Sequence, residues 1–137
     1  MATISELIRT EDNGTISFGD YTLAAKAKLD NYEVGGDIYK VKTFKEITKL
    51  ERNGSFVYES VPGTAVNNFE AADDGVSFMV EGKEDAQITL ELEEGASYDI
   101  SINGEDAGTM KTNMGGKLVL SVEFDGGKPV TVNVKKA

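Results

Sequence analysis

Apolar and polar residues alternate along most of this chain. The period of two is clearest at 76–80 (Val-Ser-Phe-Met-Val), 88–92 (Ile-Thr-Leu-Glu-Leu) and 98–102 (Tyr-Asp-Ile-Ser-Ile). It returns at 118–122 and 130–134. Alternate side chains of a strand point to opposite faces, so the pattern predicts strands with one face in a core. Weaker versions at 15–18, 21–29, 37–43, 47–52 and 55–61 predict the same for the first half. The count comes to roughly 11–13 strands, spaced as in sandwiches and barrels.

The punctuation agrees. Asn13-Gly14, Asn53-Gly54 and Asn103-Gly104 separate strand-like runs, and Asp74-Gly75 and Asp125-Gly126 add two more turn signals. Such dipeptides supply the positive φ angles of type I′ hairpin turns. A two-residue loop at Asn53-Gly54 sets Leu50 opposite Val57 and Glu51 opposite Phe56. The same loop at Asn103-Gly104 sets Ile100 opposite Ala107. Two stretches resist a strand reading: 5–9 is short enough for one helical turn, and 42–49 places Phe44, Ile47 and Thr48 at helical spacing, so a short helix competes with a hairpin. The expected fold is all-β, a sandwich of Ig-like or jelly-roll-like type. It is read as an N-terminal module over 1–72 and a C-terminal module over 73–137, which pack as two units or as one domain.

Composition narrows the chemistry. The 137 residues include no Cys, no His and no Trp. Without Cys there is no disulfide framework and no thiolate nucleophile; without His there is no imidazole base, triad or imidazole ligand. The expectation is therefore a chain that is not an enzyme. The net charge of −10 argues against nucleic-acid and membrane partners, which need concentrated Lys and Arg. That charge is local. Residues 70–106 hold twelve acids and one base, Lys83, which leaves the remainder near neutral. The first ten residues lack a basic segment followed by an apolar one, and no segment approaches ~20 apolar residues. The expected location is cytoplasmic, or secreted if a leader has been removed.

Residues 95–123 carry Gly95, Tyr98-Asp99-Ile100-Ser101-Ile102, Asn103-Gly104, Gly108-Thr109, Lys111-Thr112, Gly115-Gly116 and Leu118-Val119-Leu120-Ser121-Val122. This run resembles the small β-sandwich modules at the C-terminal ends of bacterial polysaccharide-degrading enzymes. In those modules a Tyr-led hairpin runs into a Gly-led amphipathic strand. The resemblance covers about a fifth of the chain and implies a sandwich fold. The whole chain also resembles, more loosely, short bacterial proteins labelled endosialidase. Sialidases of known mechanism grip the substrate carboxylate with three arginines. This chain has two, Arg9 and Arg52, so one subunit cannot build that cluster. A Tyr nucleophile with a Glu partner can be drawn from Tyr98 and Glu91, on adjacent expected strands.

Three kinds of binding residue stand out. If 88–92 and 98–102 form a hairpin with aligned apolar faces, Glu91 falls opposite Asp99, with Glu93 one period on. Opposed like charges are unfavourable, and a Ca²⁺ ion would relieve them. Glu91, Glu93 and Asp99 are thus the candidate calcium ligands, although ordinary solvent exposure explains the same acids. Tyr32 and Tyr58 are candidate platforms for a sugar ring. Lys26, Lys28, Lys40 and Lys42 alternate along two neighbouring strands, as a basic stripe or as charges that blunt a sheet edge. The glycine pairs at 35–36, 115–116 and 126–127 lack the context of a phosphate loop and read as turns.

The favoured function is a non-catalytic binding or assembly module, acting on a protein partner or on itself as a homo-oligomer. A carbohydrate-binding accessory module using tyrosines, with or without calcium, is the alternative. A carboxylate-based glycan hydrolase is the least favoured reading.

Overall fold

The computed structural model describes residues 3, 4, 6–124 and 128–137. They form two antiparallel sheets, as the alternation predicts. The first has the order β1 (Ile8–Thr10), β2 (Ile16–Phe18), β7 (Ala65–Ala72), β8 (Gly75–Glu81), β13 (Val130–Lys136), β10 (Ser97–Ile102), β11 (Glu105–Lys111). The second has the order β12 (Lys117–Val122), β9 (Ala86–Glu91), β6 (Ser55–Val61), β5 (Ile47–Arg52), β4 (Asp37–Phe44), β3 (Ala27–Val34). Both sheets mix strands from 1–72 with strands from 73–137, and their inward side chains form one core.

Register explains the core. Leu29, Val41, Leu50, Tyr58, Leu90 and Leu118 pair in succession across all six strands of the second sheet. Phe18, Val66, Val80 and Val130 make a corresponding row in the first. Where the sheets face each other, the Tyr58 ring meets Phe18, Phe69 and Phe78 edge-on, with centroids 5.3, 6.2 and 5.6 Å away. Edge-to-face pairs of this kind add about 0.5–1.5 kcal/mol each beyond their burial.

The turns follow the dipeptides, with adjustments. Asn53 and Gly54 both have positive φ, as do Asn103 and Gly104, and so do Gly35 and Gly36 between β3 and β4. At Asp74-Gly75 the loop residues are instead Asp73 and Asp74, because Ala72 already pairs with Gly75. Asp125-Gly126 lies outside the described residues. Glu51 faces Phe56 as expected, but Leu50 faces Tyr58, since Val57 is an extra bulge residue. Likewise Ile100 faces Gly108, and Ala107 is the extra residue. Residues 42–49 form a hairpin, not a helix: Phe44 pairs with Ile47, and Thr43 and Thr48 face the core. The strand expected over 21–29 begins at Ala27 and continues to Val34.

A buried hydroxyl network sits beside the aromatic cluster. Tyr58 OH meets Thr64 Oγ1 at 2.8 Å, and Ser60 Oγ meets the same atom at 2.7 Å. Thr48 Oγ1 donates to the Thr64 carbonyl at 2.8 Å, accepts from Thr64 N at 3.0 Å, and contacts Thr43 Oγ1 at 2.8 Å. Thr43 Oγ1 in turn accepts from Asp20 N. Polar groups are tolerated in a core when each finds partners, and here they do.

Candidate functional site

The sequence candidates land in different places. Tyr58 is fully buried, so it offers no face to a sugar, and burial pushes its hydroxyl far above the usual phenol range. Its selection as a platform is corrected by the bulge at Val57, which turns Tyr58 inward. Tyr32 is half-buried against the core, with its hydroxyl 3.0 Å from Thr10 Oγ1. The hairpin expected between 88–92 and 98–102 does not form. β9 pairs with β6 and β12 in one sheet, and β10 with β11 and β13 in the other. Leu90 and Ile100 face the shared core, so Glu91 and Asp99 point outward on opposite sides of the sandwich. They cannot ligate one ion. Glu93 follows β9 and ion-pairs with Lys136, while Asp99 accepts a hydrogen bond from Thr109 Oγ1 at 2.7 Å. Among the described residues, no group of three or more carboxylates is placed to hold a metal. Tyr98 is buried, and its hydroxyl accepts from Glu93 N at 3.1 Å, which removes it from any pairing with Glu91.

The outer face of the first sheet carries a groove of about 750 Å³. One lateral row explains its shape: Glu70, Ser77, Asn133, Ser101 and Asp106 pair in succession across β7, β8, β13, β10 and β11. The three central residues are small and polar and make a floor. The two end residues are carboxylates and make walls. Asp74 and Asp99 add negative charge, against one cation, Lys135. Among the described residues, no aromatic side chain lines this groove.

The outer face of the second sheet has the opposite character. Lys28, Lys42 and Lys49 are directly paired across β3, β4 and β5. Strands lie about 4.8 Å apart, so three ammonium groups share a span of about 10 Å. Lys26, just before β3, and Lys40, on β4, flank the row two residues from Lys28 and Lys42. Desolvation, and then the charges of Lys26, Lys49, Lys28 and Lys40, lower the Lys42 pKa. Asp30 comes within 3.8 Å of Lys40. Among the described residues, Lys26, Lys28, Lys42 and Lys49 have no carboxylate within 4 Å. Edge-blunting accounts for Lys28 on β3 but not for Lys42 and Lys49, which lie on inner strands.

Four strands end the sheets. β1 is three residues long. β3 is interrupted between Leu29 and Tyr32, with Asn31 at φ 58°. β11 is exposed along all seven residues and carries the bulge at Ala107. Short length and bulges are the usual ways to make an edge a poor template. β12 has none of these devices. Its six residues pair without interruption from Lys117 opposite Glu91 to Val122 opposite Ala86. Val119 is 40% exposed on its outer face, and Met114, just before the strand, is 86% exposed.

These surfaces escaped sequence reasoning because each is assembled across strands. The lysine stripe was visible in part, as Lys26, Lys28, Lys40 and Lys42; its third member by register, Lys49, needed the hairpin at 45–46. No family model, curated protein or solved structure matches this chain.

Proposed function

We propose that this chain is a non-catalytic β-sandwich module that binds an extended segment of another protein chain as an added strand on β12. The carrying observation is the contrast among the edges. Three are short or bulged, and the fourth is regular, unbulged and fringed by exposed Val119 and Met114. Every second residue of an edge strand turns its N–H and C=O away from the sheet. An incoming strand satisfies those groups, and alternate side-chain contacts give selectivity. A second copy of the chain is one such partner, with β12 pairing to β12 across a two-fold axis.

The test is Val119→Lys, which places a charge on the open edge while leaving the core side of β12 untouched. Cross-linking with mass spectrometry on the native chain reads the outcome. Wild type is expected to give cross-links from Lys117 to a partner or a second copy, and Val119→Lys to lose them with unchanged thermal stability. Wild type without any cross-link at β12 would refute the reading.

A further inference from the structure

We propose that copies of this chain stack face to face, with the Lys28, Lys42 and Lys49 row of one sandwich seated in the acid-walled groove of the next.

Charge and shape both support this occupant. The lysine row is a line of three long side chains across β3, β4 and β5, with Glu59 of β6 opposite Lys49 at its end. The groove on the other sheet has a floor of Ser77, Asn133 and Ser101 between Glu70 and Asp106. Each floor residue offers a hydroxyl or amide oxygen to an ammonium group. Four strand intervals separate the two walls, about 19 Å, and the lysine row spans about 10 Å. The row therefore fits lengthwise between the walls. Like charges held directly opposite one another destabilise the free chain. Seating them against carboxylates removes that repulsion, a gain available to this complex and absent in the monomer.

The distribution of charge disfavours a long polyanion on the same row. With a net charge of −10, nucleic acid or an anionic membrane reaching beyond the lysines meets repulsion from the rest of the chain. A second copy carries the same −10 but brings its acids to the row on one compact face, so close pairing there offsets the long-range repulsion, and the complementary face belongs to the chain itself. The two faces lie on opposite sides of the sandwich, so the contact is heterologous and repeats: each copy seats one neighbour and is seated on another. A sheet face of this size covers about 600 Å² per copy, near the lower limit of specific interfaces. The stacking is therefore weak and steeply salt-dependent. It uses neither edge of β12 and does not rest on strand addition there.

Sedimentation velocity on the full chain tests it, from about 20 mM to about 500 mM NaCl. At low salt the sedimentation coefficient should climb with protein concentration; at high salt it should fall to the monomer value. Lys42→Glu with Lys49→Glu removes the row, and Glu70→Lys with Asp106→Lys removes the walls of the groove. Each double variant alone should weaken association by roughly tenfold or more. Mixed in equal amounts, they should associate again, since the intact row of one meets the intact groove of the other and the two reversed faces are complementary in turn. Circular dichroism reports whether each variant is folded, and Lys42→Gln with Lys49→Gln is the milder substitute if the reversal unfolds the chain. A wild type that stays monomeric at low salt overturns the proposal. So does association insensitive to salt and to both double variants, or oligonucleotide binding on the lysine row without self-association. Association lost in Val119→Lys but kept in the lysine variants would overturn stacking and leave the β12 reading standing.

Discussion

The hydroxyl of Tyr58 meets the hydroxyl of Thr64 at 2.8 Å, with both side chains fully buried. Tyr58 belongs to the second sheet, and Thr64 lies in the link to β7 of the first. The contact therefore joins the aromatic cluster to the crossover between sheets. Thr64→Val leaves two buried hydroxyls, Tyr58 and Ser60, without this partner, so a loss of about 2–4 kcal/mol is expected. Tyr58→Phe leaves Thr64 still paired with Ser60 and should lose about 1 kcal/mol. The double variant should lose less than the sum of the two, because removing both partners leaves fewer orphans. Urea unfolding of the four proteins measures this; strict additivity would show that the hydroxyls do not act together.

Two acids pull stability in opposite directions with pH. Hydrogen bonds from Ser17 and from Arg9 hold the Glu11 carboxyl below the usual carboxylate range. A lowered folded-state pKa contributes stability above the unfolded value, and that contribution is lost as pH falls through the folded value. Burial raises the Glu81 carboxyl instead. Its ionised form is disfavoured in the folded chain, so stability is lost as pH rises from the unfolded value through the folded one. Ser17→Ala should cost about 1 kcal/mol near pH 7 and less near pH 3. Some loss persists in acid, since Ser17 Oγ also accepts from Asn68 N. Glu81→Gln should stabilise the chain near pH 7 and do little near pH 3. Denaturant midpoints at both pH values read the signs directly.

Gly63 is held where no side chain fits. A Cβ there would lie 2.0 Å from the Phe44 carbonyl oxygen, at the turn of the β4–β5 hairpin. Backbone cannot yield as a flexible side chain does, so Gly63→Ala should destabilise by about 2 kcal/mol or more. Gly115 is the control: its nearest neighbour for a Cβ is Asn113 Oδ1 at 3.5 Å, an ordinary contact. Gly115→Ala should be near neutral in a thermal melt. Equal effects at the two sites would show that β4 moves freely relative to the loop at Gly63.

Much of this architecture was legible along the chain. Alternation fixed the two-faced strands, and Asn53-Gly54 and Asn103-Gly104 fixed their turns. Neighbours were another matter. Alternation says that Leu90 and Ile100 face a core, but not that they face it from opposite sheets. That gap is why Glu91 and Asp99 looked like a pair. β11 escaped notice as a half-buried strand because it is exposed on both faces and has no apolar period. β7 was hidden by Asn67-Asn68, where Asn68 adopts φ 57° and breaks the register. The groove joins Glu70 to Asp106 through residues drawn from five strands, a relationship that exists in the sheet and not in the sequence.

Calcium binding offers a direct check on that correction. Glu91 and Asp99 lie on opposite outer faces, and Glu93 is paired with Lys136. Adding millimolar CaCl₂ should therefore leave the melting temperature unchanged, apart from the small screening effect that NaCl of equal ionic strength reproduces. A calcium-specific rise would mean that the carboxylates meet in another arrangement.

Lys42 separates a structural role for the lysine row from a binding role. It sits between Lys28 and Lys49 with no carboxylate within 4 Å among the described residues. If the row served the fold, replacing its centre would weaken the isolated chain. Cross-strand electrostatics predicts the reverse: Lys42→Glu turns two repulsions into two attractions, a gain of about 0.5–1 kcal/mol at low salt. The gain should shrink as salt screens the charges. A residue that costs its own fold stability is expected where a surface is shaped for contact with something else. Thermal melts of dilute Lys42→Glu and wild type, in low and in high salt, decide the point. A Lys42→Glu chain less stable than wild type at low salt would assign the row to the fold and take away the strongest physical reason for the lysines to seek an acidic partner.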